Sequence, residues 1–216
     1  MITKDDILNK NKLLPQEYWD YFYTRNKKPH YYRRLVANKF SDGLTSQGFF
    51  SNCNVIIDFA CGHGELLSAL YRKLGSNIKY IGVDFNSNVL RNKIMYPHIN
   101  FFRIDLEKLQ DKKWNSDVSI CKNALGFIND KVAFINCLIR NTNNYIIFTN
   151  YGKEGYEWLL NTPTKKTPAW AKTMDYDKLL SNQEIEESCN VKINNVKGID
   201  KKYSLYYIDC RKEIKK

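Results

Sequence analysis

Five short apolar runs alternate with polar or amphipathic segments along the chain, and they are residues 55–60, 79–84, 99–105, 117–125 and 144–151. The first of them, VIIDFA, is almost continuously apolar and lies between Asn54 and a loop that contains two glycines. Runs of this length and continuity are typical of strands that are buried on both faces of a parallel sheet. The pattern therefore predicts five parallel strands.

Segments of helical length separate these runs, and they are residues 65–75, 87–95 and 129–141. In the first segment the apolar side chains recur with a period of 3.6 residues, and Gly75 at its end is a suitable C-terminal cap. Strand, helix and strand follow one another four times. This order predicts right-handed crossovers in a doubly wound α/β sheet.

The N-terminal part of the chain differs from this alternating pattern. Residues 3–40 are predicted to form one or two helices ahead of the first strand, with Thr3 and Asp6 in the pattern of a capping box. We expect a single domain in which residues 1–52 form a helical cap or lid and residues 53–216 form the core.

The C-terminal part predicts a helix over residues 153–160, followed by another short helix that Ser181 and Glu184 cap. Two further apolar stretches, residues 191–199 and 202–212, are separated by a turn. They predict a hairpin that closes an otherwise parallel sheet.

Composition narrows the class of protein. The chain has 216 residues, 43% hydrophobic and 26% charged, as in a soluble globular protein. It has no apolar stretch of roughly 18 residues, and its charged start, MITKDDILNK, is unlike a secretory signal. The six cysteines are scattered without a CxxC pair. We therefore expect a cytoplasmic protein with reduced thiols, no membrane association and no metal site.

The formal net charge is +11, which suits an anionic partner. The abundance of lysine and asparagine has a second explanation, a bias toward AT-rich codons. Both interpretations of the charge stay open at this point.

The loop after the first predicted strand, in IIDFACGHGELL, is the first place to look for chemistry. In an open α/β sheet the ligand binds beyond the carboxyl ends of the strands, where the strand order reverses. Gly62 and Gly64 allow a tight turn and a close approach to a ligand. A dinucleotide fingerprint would need a third glycine where Leu67 stands, and no GK[ST] of a phosphate-binding P-loop follows.

Two carboxylates end the next two predicted strands. Asp84 lies twenty residues after Gly64, where it can accept hydrogen bonds from both ribose hydroxyls of an adenosine. Asp105, in RIDLEKL, can accept from the exocyclic amine of an adenine. Either residue alone could be a helix cap, but their position at successive strand ends after a GxG loop indicates a nucleoside site.

Four stretches resemble one family, the class I S-adenosylmethionine-dependent methyltransferases, and they are DFACGHGEL (58–66), YIGVDFNSNVL (80–90), FFRIDLEKL (101–109) and DVSICKNALGFI (117–128). They occur in the family's order and spacing, and the resemblance runs from about residue 53 to 212. It implies a Rossmann-like seven-stranded mixed sheet whose seventh strand is antiparallel and lies between the fifth and sixth. Ala60 is one departure, because the family often has glycine there.

The resemblance implies that S-adenosylmethionine is the cofactor. Asp84 would hold its ribose, Phe85 would cover one face of the adenine, and Asp105 and Leu106 would contact the adenine edge. Asn123 would lie near the sulfonium and the methyl group, as a tentative catalytic residue. The residues that would shape the pocket for the methionine part are Asp58, Ala60, Cys61, Gly62 and Gly64.

In this family the N-terminal helices and the segment after the fifth strand usually cover the methyl acceptor. Residues 16–35 combine seven aromatic residues with five arginines and lysines. They predict either an amphipathic helix packed on the sheet or a lid over the acceptor, in which an arginine anchors the cofactor's carboxylate. The candidate acceptor-binding residues are Tyr18, Trp19, Tyr31 and Tyr151.

Among the three histidines, His30 is the tentative general base, because its place in the lid could bring it to the acceptor. His63 and His98 are expected to be loop residues without a chemical role.

The segment KNALGF (122–127) lacks the Asn/Asp-Pro-Pro-aromatic run of methyltransferases that act on exocyclic base amines in DNA. We therefore expect methyl transfer to a small metabolite or a peptide group. RNA, for which basic residues interleaved with aromatics are also suited, is the alternative acceptor. An inactive S-adenosylmethionine-binding module is the alternative of another class.

Overall fold

One mixed sheet organises the chain in a computed structural model that describes residues 31–110, 112–150, 176–196 and 205–213, together with residues 19, 152 and 156. Within these residues the strands are β1 (Val55–Phe59), β2 (Lys79–Asp84), β3 (Ile99–Arg103), β4 (Ser116–Cys121), β5 (Thr142–Thr149), β6 (Ile193–Asn195) and β7 (Leu205–Asp209). Their spatial order is β3-β2-β1-β4-β5-β7-β6.

The first five strands are parallel, and β7 runs antiparallel between β5 and β6. The predicted fold, a doubly wound α/β sheet of seven strands with an antiparallel seventh strand, is confirmed. The order reverses between β1 and β4, so the carboxyl ends of these two strands border the crevice in which such sheets bind ligands.

The helices of the described residues are α1 (Tyr31–Ser46), α2 (Glu65–Leu74), α3 (Asn92–Met95), α4 (Lys131–Asn141), α5 (Asn182–Cys189) and α6 (Cys210–Glu213). Gly75 caps α2, as the sequence predicts, and its N–H donates to the carbonyl of Tyr71 at 2.9 Å. The predicted capping box of α5 is also present. Glu184 N–H donates to Ser181 Oγ at 3.1 Å, and Ser181 N–H donates to Glu184 Oε2 at 2.6 Å.

Alternate residues of the strands enter two separate cores, one on each face of the sheet. Ile56 of β1 joins the core beneath α1 and α2, whereas Ile57 joins the core beneath α4 and α5. Leu67 and Leu70 of α2 are fully buried in the first core. Each such leucine contributes about 1.5–3 kcal/mol through burial, which holds α2 and the loop ahead of it on the sheet.

The structure corrects three predicted elements. Residues 87–95 are not one helix but a 3-10 turn (Ser87–Arg91) followed by α3, because the side chain of Asn86 accepts from Asn88 N–H and starts a tight turn. The run 117–125 ends as a strand at Cys121, since Asn123 has a positive φ of 58°. The last strand ends at Asp209, and α6 follows it.

Several predictions lie outside the described residues. These are the capping box of Thr3 and Asp6, the turn between β6 and β7, and the helix over residues 153–160, of which only Tyr156 is described. The helical cap is described from α1 onward, and its division from the core at residue 52 stays a prediction. No helix in the described part of the chain combines the length and the apolar character needed to cross a membrane.

Candidate functional site

The loop between β1 and α2 lies at the switch point and has a left-handed backbone at three positions. The φ angles are 59° at Ala60, 57° at Gly62 and 77° at Gly64. Ala60 thus keeps the conformation of a glycine despite its Cβ, which costs about 1–2 kcal/mol. Ala60, the departure from the family's glycine, therefore has a φ that favours glycine.

Phe101 of β3 fills the space beneath this loop. A Cβ at Gly64 would lie 2.7 Å from Cζ of Phe101, and a Cβ at Gly82 would lie 2.7 Å from Cδ1 of the same ring and 2.8 Å from Sγ of Cys61. Real side chains do not approach so closely. Gly64 is therefore required by packing as well as by its φ, and Gly82 by packing.

Asp84, the predicted ribose ligand, ends β2 and is 3% exposed. Its Oδ2 accepts from Gly62 N–H at 2.9 Å, and its Oδ1 accepts from Asn86 N–H at 3.0 Å. Through these two hydrogen bonds Asp84 anchors the glycine loop to the end of β2.

Two further contacts hold the loop, and sequence reasoning missed one of the residues involved. Asn92, 4% exposed, donates from Nδ2 to the carbonyl of Gly62 at 2.8 Å. Cys61 N–H donates to the carbonyl of Val83 at 3.0 Å. The position of Asn92 in a polar segment gives no signal for this role.

Asp58, predicted to shape the methionine pocket, is the second-last residue of β1, just before the loop. It is 3% exposed, and its Oδ1 has no hydrogen-bond partner. Burial raises the pKa of Asp58 to about 8, with Lys122 acting in the opposite direction and Asp84 and Glu65 adding to the rise. A buried carboxylate oxygen without a partner is costly, and a cationic donor is the chemistry that relieves the cost.

A cluster of charged side chains lies beside Asp58, beneath α1. Arg33 Nη1 is 2.8 Å from His63 Nδ1, and Arg33 Nε is 3.7 Å from Glu65 Oε1. Because arginine only donates, His63 Nδ1 accepts, and the ring proton lies on Nε2. His63, predicted to be a loop residue, is 4% exposed and joins the loop to α1.

Lys122 follows β4 and belongs to the same cluster. Its Nζ lies 4.6 Å from the centre of the Phe40 ring. Burial lowers the pKa of Lys122, while Asp58 and Glu65 act to raise it. The sequence prediction did not select this residue.

The residues predicted to bind adenine follow the ends of β2 and β3. Asp105 Oδ1 accepts from Glu107 N–H at 3.2 Å and caps a 3-10 turn that begins with Leu106, which is 9% exposed. Ile104 N–H donates to the carbonyl of Asp84 at 2.9 Å, which keeps the ends of β2 and β3 together. Phe85 is half-buried beside them, and its carbonyl accepts from Arg103 Nε at 3.0 Å.

Asn123, predicted to lie near the transferred methyl group, is held by Thr149 at the end of β5. Asn123 N–H donates to Thr149 Oγ1 at 2.6 Å, and the Thr149 hydroxyl donates back to Asn123 Oδ1 at 3.2 Å. Thr149 is 2% exposed. Sequence reasoning missed it, because the pairing of the ends of β4 and β5 that brings Thr149 to Asn123 has no local signal in the sequence.

On the acceptor side, Trp19 packs edge-to-face on Phe127 with ring centroids 5.6 Å apart, so it contacts the turn that follows Asn123. Tyr31 is 80% exposed at the start of α1. The remaining candidates of this side lie outside the described residues and are Tyr18, His30 and Tyr151.

Metal chemistry has no support in the part of the chain that the structure describes. No group of three or more His, Cys, Asp or Glu side chains there could hold a metal ion. All six cysteines are free thiols.

The groups around the loop fit S-adenosylmethionine, the cofactor that the resemblance implies. The orphaned oxygen of Asp58 suits an ammonium group, and the carboxylate of Asp84, at the end of β2, is the kind of acceptor that ribose hydroxyls need. Because Gly62 and Gly64 carry no Cβ, the loop backbone leaves room for a ligand to approach it closely.

A family profile described as a methyltransferase domain matches residues 50–208. This profile match spans β1 to β7 almost completely. No curated protein sequence matches the chain.

Solved structures share the fold at low sequence identity. An O-methyltransferase family protein from Burkholderia thailandensis is 14% identical with a TM-score of 0.63, over 95% of this chain and 66% of that one. The plantazolicin methyltransferase BpumL, in complex with a pentazolic desmethylPZN analog and SAH, is 13% identical with a TM-score of 0.65, over 95% and 93%. Magnesium protoporphyrin IX methyltransferase (ChlM) from Synechocystis PCC 6803, with bound SAM, is 14% identical with a TM-score of 0.51, over 82% and 78%.

Proposed function

The chain belongs to the family of methyltransferase domains, and from this premise we propose that it transfers a methyl group from S-adenosylmethionine to a small-molecule or peptide acceptor. The enzyme is thus an S-adenosylmethionine-dependent methyltransferase, as the resemblance of its four motifs predicts. The observation that carries the proposal is the pairing of two buried carboxylates, Asp58 and Asp84, at one glycine loop: Asp84 accepts from the loop's Gly62 N–H, and Asp58 Oδ1 has no hydrogen-bond partner.

The cofactor residues follow from the position of each group along the carboxyl ends of the strands. Asp84 binds the ribose hydroxyls, Asp105 and Leu106 bind the adenine edge, and Phe85 covers one adenine face. Asn123 lies beside the sulfonium. The residues that surround the methionine part are Asp58, Ala60, Cys61, Gly62 and Gly64.

When bound, S-adenosylmethionine would supply an electrophilic methyl group for an in-line displacement, in which the acceptor atom gains the methyl group and S-adenosylhomocysteine is the leaving group. The chain's own contribution is to orient the two reactants and exclude water. Thr149 fixes the backbone and the side-chain oxygen of Asn123, which keeps the turn after β4 rigid at the reacting end. A base is needed only for an acceptor that keeps its proton at neutral pH, and His30 is the tentative candidate.

A small or peptide acceptor is supported by the surroundings of the reacting end. Trp19 lies against Phe127, four residues past Asn123, and supplies an aromatic wall of the kind that lines small-ligand cavities. Among the structural neighbours, BpumL is crystallised with a desmethylPZN analog. Arg33, one of the basic residues that an RNA face would use, is instead directed to His63 and Glu65.

Calorimetry and a turnover assay test the proposal together. S-adenosylmethionine and S-adenosylhomocysteine should bind, whereas nicotinamide dinucleotides should not. Incubation with S-adenosylmethionine and separate pools of metabolites, peptides and RNA should produce S-adenosylhomocysteine above the blank with a metabolite or peptide pool.

Two results would redirect the proposal. Turnover on RNA together with RNA binding that falls steeply with salt would assign the RNA alternative, since each neutralised phosphate releases a counterion. Binding of the cofactor without turnover on any pool would assign the inactive module.

A further inference from the structure

Two buried carboxylate oxygens lack a hydrogen-bond partner within the described residues, and both belong to residues that flank the glycine loop. They are Oδ1 of Asp58, near the end of β1, and Oε1 of Glu65, the first residue of α2. Asp58 is 3% exposed, and the side chain of Glu65 is 10% exposed. A buried carboxylate without a donor is costly, so the pair is suited to a ligand that donates hydrogen bonds.

Both carboxylates lie on the same face of the sheet. Ile56 precedes Asp58 by two residues in β1 and belongs to the core beneath α1 and α2, so Asp58 points to that face. Glu65 begins α2, which packs on the same core. Burial raises the pKa of Asp58 to about 8, and the charge of Glu65 adds to the rise. The two carboxyl groups are therefore close enough to repel each other.

The cations beside the two acids do not complete the hydrogen bonding of these oxygens. Arg33 Nε lies 3.7 Å from Oε1 of Glu65, which is the distance of an ion pair and longer than a hydrogen bond. Lys122 interacts electrostatically with both acids. Neither Asp58 Oδ1 nor Glu65 Oε1 accepts a hydrogen bond all the same.

The place of Glu65 at the start of a helix has an ordinary explanation, because the helix dipole favours an acid in the first turn. That explanation requires no burial, and Glu184 in the first turn of α5 is only half-buried. A carboxylate that serves the dipole alone is better solvated by water. The burial of Glu65 therefore indicates a second role.

A primary ammonium group has the chemistry that both oxygens lack, since it is a cation with three N–H donors. We propose that Glu65 is a cofactor-binding residue that holds, together with Asp58, the ammonium group of the amino-acid end of S-adenosylmethionine. The inference rests on the proposed function and adds Glu65 to the residues around the methionine part. A divalent metal ion is less well suited, because the described ranges contain no group of three His, Cys, Asp or Glu side chains that could hold one.

The arrangement links cofactor recognition to the glycine loop. Asp58 precedes the loop and Glu65 follows it, so an ammonium group held by both joins its two ends. Asp84 holds the middle of the loop through Gly62 N–H, at 2.9 Å. The replacement of Glu65 should therefore affect ligands that carry the ammonium group and no others.

Three ligands that differ only at the amino-acid end test the proposal. They are S-adenosylhomocysteine, its desamino analogue, in which hydrogen replaces the ammonium group, and 5′-methylthioadenosine, which lacks the amino-acid end. Dissociation constants are measured by calorimetry, with and without EDTA, for the full chain. The variants are Glu65→Gln, Asp58→Asn, the double variant Asp58→Asn/Glu65→Gln, and Arg33→Met.

Glu184→Gln is the matched control, because it makes the same change in the first turn of another helix. Glutamine keeps the capping box of α5. Ile185 of α5 belongs to the core on the opposite face of the sheet, so this control is remote from the glycine loop. All three affinities should stay within about twofold of those of the unchanged chain.

We expect the unchanged chain to bind the desamino analogue about 10-fold or more weaker than S-adenosylhomocysteine, the usual effect of losing a charged hydrogen bond. Glu65→Gln keeps an acceptor but loses the charge, so it should weaken S-adenosylhomocysteine by about 5- to 10-fold. The other two ligands should lose no more than about twofold. The double variant should abolish the preference for the ammonium group, whereas Arg33→Met should keep it because Glu65 retains its charge.

Each other outcome overturns the proposal. Equal weakening of all three ligands by Glu65→Gln makes Glu65 a support of the fold, and a preference that only Asp58→Asn reduces assigns the ammonium group to Asp58 alone. Loss of the preference in Arg33→Met as in Glu65→Gln assigns it to their ion pair, and loss on addition of EDTA assigns the two acids to a metal ion.

Two results need no variant. If the unchanged chain shows no preference for the ammonium group, the inference fails even where the Glu65 variants do not fold. If it binds neither S-adenosylhomocysteine nor 5′-methylthioadenosine, the proposed function itself fails, and that result is distinct from the others.

Discussion

The backbone N–H of Gly62 donates a hydrogen bond of 2.9 Å to Oδ2 of Asp84, so the predicted ribose ligand also anchors the glycine loop. The second oxygen of Asp84 accepts from Asn86 N–H at 3.0 Å. If Asp84 binds the ribose as proposed, its replacement is expected to affect both the affinity for the cofactor and the stability of the fold.

Asp84→Ala should weaken S-adenosylhomocysteine binding by about 1.5–3 kcal/mol, the usual contribution of hydrogen bonds to a charged group. It should also lower the free energy of unfolding by about 1–3 kcal/mol, because two backbone donors lose their partner in a buried place. Calorimetry and urea unfolding measure the two effects.

Asp105→Ala is the matched control, since Asp105 is half-buried and caps only a short 3-10 turn. It should weaken binding while costing at most about 1 kcal/mol of stability. Unchanged affinity in Asp84→Ala would remove the ribose assignment.

Ala60→Gly should raise the free energy of unfolding by a few tenths to about 1 kcal/mol. With a φ of 59°, the alanine is strained in the folded state by about 1–2 kcal/mol, and glycine relieves this strain. Glycine also makes the unfolded chain more flexible, which lowers the stability of the fold by only roughly 0.4–1 kcal/mol. Ala69→Gly, in the buried interior of α2, should have the opposite sign and lose about 1 kcal/mol or more. Urea unfolding measures the free energy of unfolding of both variants. A lower value for Ala60→Gly than for the unchanged chain would contradict the proposed strain at Ala60.

The position of the site could be predicted from the sequence because it depends on local signals. The apolar run of β2 ends at Asp84, and the glycines of the first loop follow the run of β1. Both signals survive in a single sequence, and the parallel sheet brings them together at its carboxyl edge.

The supports of the site could not be predicted, because they depend on register and on distant segments. Gly82 meets Phe101 only because β2 and β3 pair in that register. Asn92 bonds a carbonyl 30 residues away, and Arg33 reaches His63 over the same separation. The direction of these side chains is a property of the packed molecule.

Gly82→Ala should lower the free energy of unfolding by about 1–3 kcal/mol through overpacking, because its Cβ would lie 2.7 Å from Phe101. Adding Phe101→Leu should cost less in this background than in the unchanged chain, since it makes room for the methyl group. Gly75→Ala separates packing from backbone strain, because nothing lies within 4 Å of its Cβ position although its φ is +83°. A double-mutant cycle by urea unfolding measures the coupling, and additivity of Gly82→Ala and Phe101→Leu would contradict the contact.

Asp58→Asn should flatten the dependence of stability on pH in the absence of cofactor. Burial raises the pKa of Asp58 to about 8, with Lys122 opposing and Asp84 and Glu65 reinforcing the rise. The folded state then binds more protons than the unfolded chain, so stability falls as the pH rises from about 4 through 8. The unchanged chain should therefore lose stability relative to Asp58→Asn as the pH rises to about 8, with the difference levelling off above that pH, in urea unfolding.

Asp117→Asn is the control of opposite sign. Burial acts to raise the pKa of Asp117, but hydrogen bonds from Asn143 and from the backbones of Asn54 and Val55 lower it overall. Its stabilisation is present above the ordinary carboxyl pKa and is lost in acid. This variant should therefore show a constant loss between about pH 6 and 9, and a parallel result for Asp58→Asn would contradict the raised pKa.

Thr149→Val should reduce kcat by about 10- to 100-fold while the dissociation constant of S-adenosylhomocysteine stays within about twofold. The variant keeps the shape of the side chain but removes the hydroxyl that accepts from Asn123 N–H and donates to Asn123 Oδ1, and a displacement of about 1 Å at a reacting end is enough for such a loss. Thr142→Val makes the same change at the opposite end of β5, where the hydroxyl lies 2.7 Å from Ser119 Oγ in a buried network. It should cost about 1–3 kcal/mol of stability and leave kcat unchanged, because that network is remote from the carboxyl edge of the sheet. Both variants are measured with the acceptor found in the pool assay, and an equal fall of kcat in the two would make Thr149 a structural residue without a role in positioning Asn123.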